Sequence, residues 1–257
     1  MRQDERAPFD RALQRARVAA YPPGEYVEQE SFMRAAEIRE LAGWAGIAPG
    51  VAVLDLCCGV AGPGRLIARE LRCDYLGVDA SAGAIEIARA RADGLSCRFE
   101  VARVPPLPAG AFDVILLFET MLAFPDKAPL VEAIAGALAP GGRFAFTLEE
   151  GPPLTTAERE RMPDADTVWL TPLGEMRAVL GRAGLVVRRE ADWTRSHRAM
   201  ADALVGALAA DSAAVAAQIG QPALDDLLVA HRLWSEWLGT GRVRKIAFIG
   251  GASLNGV

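Results

Sequence analysis

One glycine-rich stretch combines closely spaced glycines with an acidic residue at a set distance downstream. The sequence VLDLCCGVAGPG, residues 53–64, runs from an apolar strand pattern into glycines that let the backbone approach a ligand closely. Asp79 follows Gly59 by 20 positions and ends a second apolar segment. Its carboxylate can there accept hydrogen bonds from two ribose hydroxyls. The spacing indicates a ribose-bearing cofactor, and it serves NAD and S-adenosylmethionine equally well.

Two adjacent cysteines, Cys57 and Cys58, lie where such a loop would be expected to have its first glycine. The other two cysteines are distant from them, and the chain has no CxxC pair. The two histidines, His197 and His231, come far later in the sequence. Metal sites and disulfide frameworks require partners at characteristic spacings. We therefore predict no metal and no disulfide framework, and we interpret the two thiols as small buried side chains.

Strand-like and helix-like segments alternate regularly between residues 51 and 150. Pro63 suits the first turn of a helix, Ser81 suits an N-cap, and the PGG run at 140–142 ends a third helix. Such alternation predicts an α/β fold with a doubly wound parallel sheet. The predicted elements are strand 51–56, helix 62–71, strand 75–80, helix 82–92, strand 97–103, strand 112–119, helix 127–138 and strand 143–150.

The pattern changes on both sides of this region. The further predicted elements are helices 8–20, 29–46 and 171–183, strands 185–193 and 243–250, and an Ala- and Leu-rich helical insertion at 196–239 with turn signals near Gly220. We interpret the RVRK run at 242–245 as a solvated strand with alternating faces. The prediction is one domain over 1–257, comprising an N-terminal helical flap (1–48), a core (49–193 and 242–257) and a helical lid insertion (194–241).

Composition and charge exclude several classes of partner. The net charge is −5, and Lys and Arg are scattered along the chain rather than gathered into a basic stripe, which argues against nucleic acid. No apolar stretch is long enough to span a bilayer, and the charged start MRQDERAPFD lacks the apolar run of a signal peptide. We predict a cytoplasmic protein without a membrane partner, as a monomer or homodimer.

Three segments occur in the order and with the spacing of a known family. They are VLDLCCGVAGPGRLIA, YLGVDAS and LPAGAFDVILLFETMLAFPDKAPLVEAIAGALAPGGRFAFTLEE. Over residues 50–150 the sequence resembles the class I S-adenosylmethionine-dependent methyltransferases, in their small-molecule branch. The resemblance implies a Rossmann-like doubly wound sheet of seven strands with an antiparallel last strand, plus helical lid elements. It also implies S-adenosylmethionine as cofactor, released as S-adenosylhomocysteine, with no metal.

The resemblance further implies which residues contact the cofactor. Two positions depart from the family pattern, since Cys57 replaces the usual glycine and Arg103 lies where many relatives have an aspartate against the adenine amino group. Backbone groups must then recognise the adenine. The implied contacts are Asp55, Cys57 and Gly59 at the amino acid end with Gly62 in the same loop, Asp79 on the ribose, Ala80, Arg103 and Val104 at the adenine, and the Phe118 carbonyl on the cofactor's amino group.

The implied reaction is methyl transfer to an oxygen, nitrogen or carbon nucleophile of a small molecule, in specialised metabolism. A base is needed only where the nucleophile arrives protonated. Among groups at strand ends we predict Glu119 and His197 as catalytic, and favour His197 as base because imidazole titrates near neutral pH. Of Glu149 and Glu150, only one can point into the site. A His197 that merely caps a helix or faces solvent fits the sequence equally well.

A long lid suits a small substrate, whereas macromolecular substrates need open grooves. Two alternatives stay open: an NAD-dependent oxidoreductase that uses the same loop, and a protein that binds S-adenosylmethionine without transferring methyl, as a scaffold or as a cyclisation catalyst. Apolar and aromatic residues of the flap and the later segments are predicted to line the substrate pocket, namely Tyr26, Gln29, Met33, Trp169, Trp193 and Trp234.

Overall fold

Seven strands form a single sheet in the computed structural model, which describes residues 11–92 and 94–252. Their spatial order is β3-β2-β1-β4-β5-β7-β6, with β7 antiparallel to both β5 and β6 and the remaining neighbours parallel. The predicted Rossmann-like sheet is therefore confirmed. The strands are β1 Ala52–Leu56, β2 Asp74–Asp79, β3 Cys97–Val101, β4 Phe112–Leu117, β5 Leu138–Glu150, β6 Leu185–Asp192 and β7 Arg244–Ala252.

Helices cover both faces of the sheet and one of its ends. Short 3₁₀ turns lie at Met121–Ala123 and Ala165–Thr167. The α-helices are α1 Arg11–Ala20, α2 Ala35–Trp44, α3 Gly62–Leu71, α4 Ala82–Arg91, α5 Ala128–Ala137, α6 Thr156–Arg161, α7 Leu173–Arg182, α8 Thr194–Ala210, α9 Ser212–Ile219 and α10 Gln221–Thr240.

The sheet separates two apolar cores, as expected for central strands buried on both faces. In β1, Val53 faces the core that contains Ile38 of α2 and Ile67 of α3. Its neighbour Leu54 faces the opposite core, built with α5 and α7. Alternation along the strand therefore supplies both layers. The parallel pairing of β1, β2, β4 and β5 places their carboxyl ends on one rim.

Helices α8, α9 and α10 are inserted between β6 and β7, and α1 packs on α8 and α9. Ala12 and Ala16 of α1 are buried against Leu208, Val215 and Leu224 of these helices. We call this group, α1 with α8–α10, the helical cover. Within the described residues, no single helix is long and apolar enough to cross a membrane; α8 and α9, bent by 86°, pass a test of length and composition only as a pair.

Local signals explain where the structure departs from the predicted elements. The predicted helix 29–46 begins only at Ala35, because Arg34 is extended and Glu37 accepts its backbone N–H at 2.9 Å. Residues 21–34 instead form an irregular segment, which we call the strap. The predicted helix 8–20 is described only from residue 11. β5 begins at Leu138, earlier than predicted, through a register shift against β4.

Candidate active site

The glycine-rich loop follows β1 through several left-handed residues. Cys57, Gly59 and Ala61 have φ of 56°, 55° and 56°. Two of them are not glycine, so the loop keeps a conformation that L-residues adopt rarely. A Cβ built on Gly59 would meet nothing within 4 Å. The loop backbone therefore borders open space at the carboxyl end of β1, where a ligand can approach it.

Asp79 is fixed beside this loop by backbone donors. Its Oδ2 accepts a hydrogen bond from the Gly59 N–H at 2.9 Å, and its Oδ1 accepts one from the Ser81 N–H at 2.8 Å. Ser81 in turn caps α4 through the N–H of Ala84. Each carboxylate oxygen has a second lone pair, so Asp79 can still accept two hydroxyl donors.

Beneath the loop, Asp55 is buried and accepts a 2.5 Å hydrogen bond from the Tyr75 hydroxyl. Burial raises the pKa of Asp55 to about 7, although the Tyr75 hydrogen bond acts in the opposite direction. Gly64 makes this pair possible, since a Cβ there would lie 1.9 Å from the Tyr75 oxygen. Asp55 thus supports the loop from below, where the sequence predicts a cofactor contact.

We expect Gly64→Ala to destabilise the fold by about 1–3 kcal/mol, because Tyr75 would have to move out of a packed position. Its hydrogen bond to the buried Asp55 would be lost. Urea unfolding measures the effect, with Gly83→Ala in α4 as control, since a Cβ at Gly83 meets nothing within 4 Å. Equal stability of the two variants would show that Tyr75 is not held by this contact.

The two adjacent thiols point into opposite cores. Cys57 packs against the core of α5 and α7, and Cys58 against the core of α2 and α3. Burial, with the charges of Asp79 and Asp55, raises the pKa of the Cys57 thiol to about 12. Burial also raises the pKa of Cys58. Both thiols therefore stay protonated near neutral pH, which favours a packing role over nucleophilic chemistry.

The remaining predicted cofactor contacts lie around the same rim. Ala80 and Arg103 are exposed, and Val104 is half-buried against the α5 and α7 core. Phe118 is buried immediately after β4. Its carbonyl accepts a hydrogen bond from the Thr120 hydroxyl at 2.9 Å and has a second lone pair available.

The strap crosses the start of α3. A Cβ on Gly62 would lie 2.0 Å from the Val27 carbonyl oxygen, so only glycine allows this crossing. Glu28 anchors the strap through ion pairs with Arg65 of α3 and Arg91 of α4, the latter at 2.9 Å. Gly62 therefore allows the strap to pass over the loop. This role is additional to its predicted place in the cofactor site.

Gln29 and Met33 are both buried in the strap. The Gln29 amide donates hydrogen bonds to the carbonyls of Glu25 and Met33, and its oxygen accepts from the Val27 N–H. Met33 belongs to the core of α2 and α3. These contacts give both residues a role in shaping the strap, and neither is described in contact with the predicted catalytic pair.

A group of buried charges lies at the carboxyl ends of β4 and β5. Glu119 has φ of 58°, and its Oε1 accepts a hydrogen bond from the Thr147 hydroxyl at 3.0 Å. Lys245 of β7 is 1% exposed and forms ion pairs with both Glu119 and Glu149. His197 of α8 is also 1% exposed, with its Nδ1 3.8 Å from Glu119 Oε2. The structure thus brings the two predicted catalytic residues together.

Burial and charge pairing have opposite effects on the pKa values of Glu119 and Lys245. Burial raises the pKa of Glu119, but the charges of Lys245 and His197 outweigh it and hold the pKa below the ordinary value. Burial lowers the pKa of Lys245, but Glu119 and Glu149 outweigh it and raise the pKa above the ordinary value. Glu119 is therefore an anion near neutral pH. It can stabilise positive charge nearby but holds a proton poorly.

The positions of Lys245 and Glu150 decide which charged residues of β5 and β7 face the interior. The interpretation of residues 242–245 as a solvated strand is wrong for Lys245, because its pairing with Glu149 across β5 and β7 turns its side chain inward. Glu150, the next residue of β5, faces the other way and pairs with Arg244 at 2.8 Å. Only Glu149 of the two adjacent acids joins the buried group.

Glu37 of α2 completes the group from the opposite side, and the sequence did not single it out. Its Oε2 lies 3.6 Å from His197 Nε2, and its Oε1 accepts a hydrogen bond from the Ser196 hydroxyl. Burial raises the pKa of Glu37, but the neighbouring imidazole of His197, with hydrogen bonds from Ser196 and Arg34, outweighs it and lowers the pKa to about 2. His197 therefore has a carboxylate on each side.

The predicted pocket residues fall into two sets. Trp193 stacks on His197 with ring centroids 6.2 Å apart, and Tyr26 packs on Tyr21 at 5.3 Å. Trp169 instead donates its Nε1–H to the Asp166 carbonyl at 2.8 Å. Trp234 packs edge-on against Trp237 of the same helix. The described contacts therefore bring Trp193 to the buried charges and leave Trp169 and Trp234 with other partners.

Two comparisons of sequence identify the family. Residues 53–142 match the family model described as a methyltransferase domain. The trans-aconitate 2-methyltransferase of Methylobacterium radiotolerans is 31% identical over 196 residues, which cover 72% of this chain and 74% of that relative. The chain belongs to the class I S-adenosylmethionine-dependent methyltransferases.

Other matches are shorter or more distant. Phosphoethanolamine N-methyltransferase 3 of Arabidopsis thaliana is 34% identical over 113 residues, 42% of this chain; the match spans 23% of that relative's length. The solved structure of Haemonchus contortus phosphoethanolamine N-methyltransferase 2, in complex with phosphomonomethylethanolamine and S-adenosylhomocysteine, superposes with a TM-score of 0.78 at 17% identity. It covers 96% of this methyltransferase chain and 60% of that one, and it shows the shared fold.

The residues present fit the family's cofactor. The open space beside Gly59 admits a ligand against the loop backbone, and Asp79 has lone pairs for two hydroxyls. The Phe118 carbonyl retains a lone pair for an amino group. Within residues 11–92 and 94–252, no three His, Cys, Asp or Glu side chains are grouped as metal ligands.

Proposed function

We propose that this methyltransferase transfers a methyl group from S-adenosylmethionine to an oxygen, nitrogen or carbon atom of a small molecule, in specialised metabolism. When bound, the cofactor supplies a methyl group that is already activated on a sulfonium. The observation that carries the proposal is the buried pair of His197 and Glu119 beside Phe118, at the rim where the loop and Asp79 lie. Membership of the family supports S-adenosylmethionine as the cofactor. The His197–Glu119 pair supports removal of a proton from the methyl acceptor.

His197 is the proton acceptor in this proposal. Glu119 has a pKa below its ordinary value, so it would not retain a proton taken from the acceptor group. Its carboxylate, 3.8 Å from His197 Nδ1, stabilises the imidazolium that forms when the acceptor's proton moves to His197. Thr147 and Lys245 hold Glu119 in this orientation. A substrate that arrives deprotonated would not need this step.

The enclosure of the site supports a small substrate. The strap crosses above α3, and the helical cover places His197 of α8 over the rim. Phe32 and Trp193 pack against the ring of His197, and Tyr26 packs on Tyr21 of the strap. We propose that these residues, together with Gln29 and Met33, shape the wall next to the acceptor. Trp169 and Trp234 would line a more distant part.

Incubation with methyl-labelled S-adenosylmethionine and a panel of phenols, amines, indoles and keto acids tests the proposal. We expect label in one class of product, identified by mass spectrometry, and stabilisation of the chain by S-adenosylhomocysteine in thermal shift. Stabilisation by NAD(H) alone would contradict the proposal and favour an oxidoreductase. Tight cofactor binding with no labelled product from any class would favour a protein that binds the cofactor without transferring methyl.

We expect His197→Gln to lower the turnover number by about 100-fold or more, because the acceptor's proton loses its base. The affinity for S-adenosylhomocysteine should stay the same, since His197 lies outside the loop and Asp79. Single-turnover kinetics and calorimetry measure the two quantities. The matched control is His231→Gln, in which the replaced side chain bonds to the Leu227 carbonyl. Turnover at the unaltered rate would assign His197 a structural role.

A further inference from the structure

Glu37 is held more firmly than the capping of α2 requires. Besides the Arg34 N–H, it accepts hydrogen bonds from the Arg34 guanidinium at 3.1 Å and from the Ser196 hydroxyl. Ser196 is adjacent to His197 on α8, so this bond ties the helical cover to α2. Glu37 is 3% exposed, and its second oxygen faces His197. The carboxylate therefore has a fixed position relative to the imidazole.

The two nitrogens of His197 face in different directions. Nε2 lies 3.6 Å from Glu37 and has no hydrogen-bond partner, whereas Nδ1 faces Glu119 at the strand ends. A carboxylate beside a ring nitrogen favours the tautomer that carries its proton there. His197 has a carboxylate on each side, but Glu119 is the more distant, at 3.8 Å, and its charge is already compensated by the buried Lys245, so Glu37 has the stronger effect. The lone pair then lies on the other nitrogen. With the proton on Nε2, the lone pair of His197 is on Nδ1 and points toward the rim.

We propose that Glu37 is the positioning residue of the active site: it holds the proton of neutral His197 on Nε2, so that Nδ1 accepts the proton of the methyl acceptor. The inference rests on the proposed function, in which His197 is the base. It deepens that function in one respect, because a base set up in this way serves acceptors that carry a dissociable proton, such as a hydroxyl or an N–H group. Charge then stays balanced, since the proton lost by the acceptor becomes the second proton of the imidazolium.

Several other groups surround the imidazole. Trp193 and Phe32 pack on the ring and carry no charge. The charged and titratable groups on the elements packed around it are Glu37 and Arg34 at the start of α2, Glu119 after β4 with Lys245 of β7 behind it, and Tyr21 of the strap. Of the two carboxylates that face the ring, Glu119 is paired with a buried lysine and Glu37 with the half-exposed Arg34.

Nitrogen NMR of the imidazoles tests the inference without any substrate. The chain has two histidines, so the spectrum contains two ring systems, and His231 serves as internal reference. We expect neutral His197 to carry its proton on Nε2. In Glu37→Gln, which keeps an oxygen acceptor for the Arg34 N–H, the share of neutral His197 that carries its proton on Nε2 should fall, because the carboxylate that favours this tautomer is lost. Glu40→Gln, an exposed change on the same helix, should leave both histidines unaltered.

Kinetics give the second readout. In Glu37→Gln the turnover number should fall about 10- to 100-fold, because less of the neutral His197 presents its lone pair on Nδ1. The KM for S-adenosylmethionine should not change. An unaltered His197 spectrum in Glu37→Gln would overturn the positioning role whatever the activity. Absence of methyl transfer by the unaltered chain would instead overturn the proposed function, and the spectra would still decide whether Glu37 sets the tautomer.

Discussion

Asp79→Ala is expected to weaken the binding of S-adenosylhomocysteine by roughly 100-fold or more, because hydrogen bonds to a charged acceptor contribute about 1.5–3 kcal/mol each and two ribose hydroxyls would lose theirs. The substitution also removes the acceptor that fixes the Gly59 N–H at 2.9 Å. The loop would lose its support and the ligand its partner at the same time. Isothermal calorimetry measures the change directly.

The fold should survive this substitution. Asp79 is half-buried at the end of β2 and lies outside both apolar cores. Asp74→Ala, at the exposed start of the same strand, is the matched control and should leave affinity and melting temperature unchanged. Unchanged affinity in Asp79→Ala would show that the ribose assignment is wrong. A melting temperature far below that of the control would mean that Asp79 acts through stability.

The sheet and the loop could be predicted because their signals are local. Each strand of the first half is a short apolar run, and the turn after it contains glycine, proline or a capping residue. The distance from Gly59 to Asp79 reflects one helix between two adjacent strands, so spacing alone places the carboxylate beside the loop. Sequence reasoning failed mainly at element ends, where capping at Arg34 and pairing of Leu138 decided the boundary.

The buried charges could not be predicted, because each depends on partners that are distant in sequence. In the sequence, Glu37 is an ordinary acidic residue in the first turn of a helix. No local sequence pattern indicates that α8 places His197 beside it. Lys245 lies in a run of basic residues that suggests solvent exposure. Lys245 is buried because β7 lies between β5 and β6. That position arises because the chain returns antiparallel to β5 after the inserted helices. The positive φ of Glu119 likewise has no signal in the sequence.

Lys245→Met should destabilise the fold by about 3–5 kcal/mol, because it leaves two buried carboxylates without their shared cation. Methionine fills a similar volume, so the cost is mainly electrostatic. Glu119 and Glu149 would face each other in the interior, and one oxygen of Glu149 already has no hydrogen-bond partner. Urea unfolding near neutral pH measures the change. Arg244→Met is the matched control on the same strand, and it should cost less than about 1 kcal/mol, because the Arg244 pair is partly exposed to solvent.

The pH dependence separates charge from packing. With Lys245 present, the pKa of Glu119 is held below its ordinary value, so its stabilising contribution is complete above the unfolded-state pKa and is lost as pH falls through the folded-state pKa. Without Lys245, burial is no longer opposed by the lysine charge and raises the folded-state pKa of Glu119, and the penalty exists only while the buried carboxylates are ionised. The stability gap between Lys245→Met and the unaltered chain should therefore narrow as the pH is lowered through the carboxyl range. A stability difference that stays constant with pH would assign the loss to packing of the lysine stem. A stability difference no larger than that of Arg244→Met would mean that the buried lysine does not hold the two carboxylates in place.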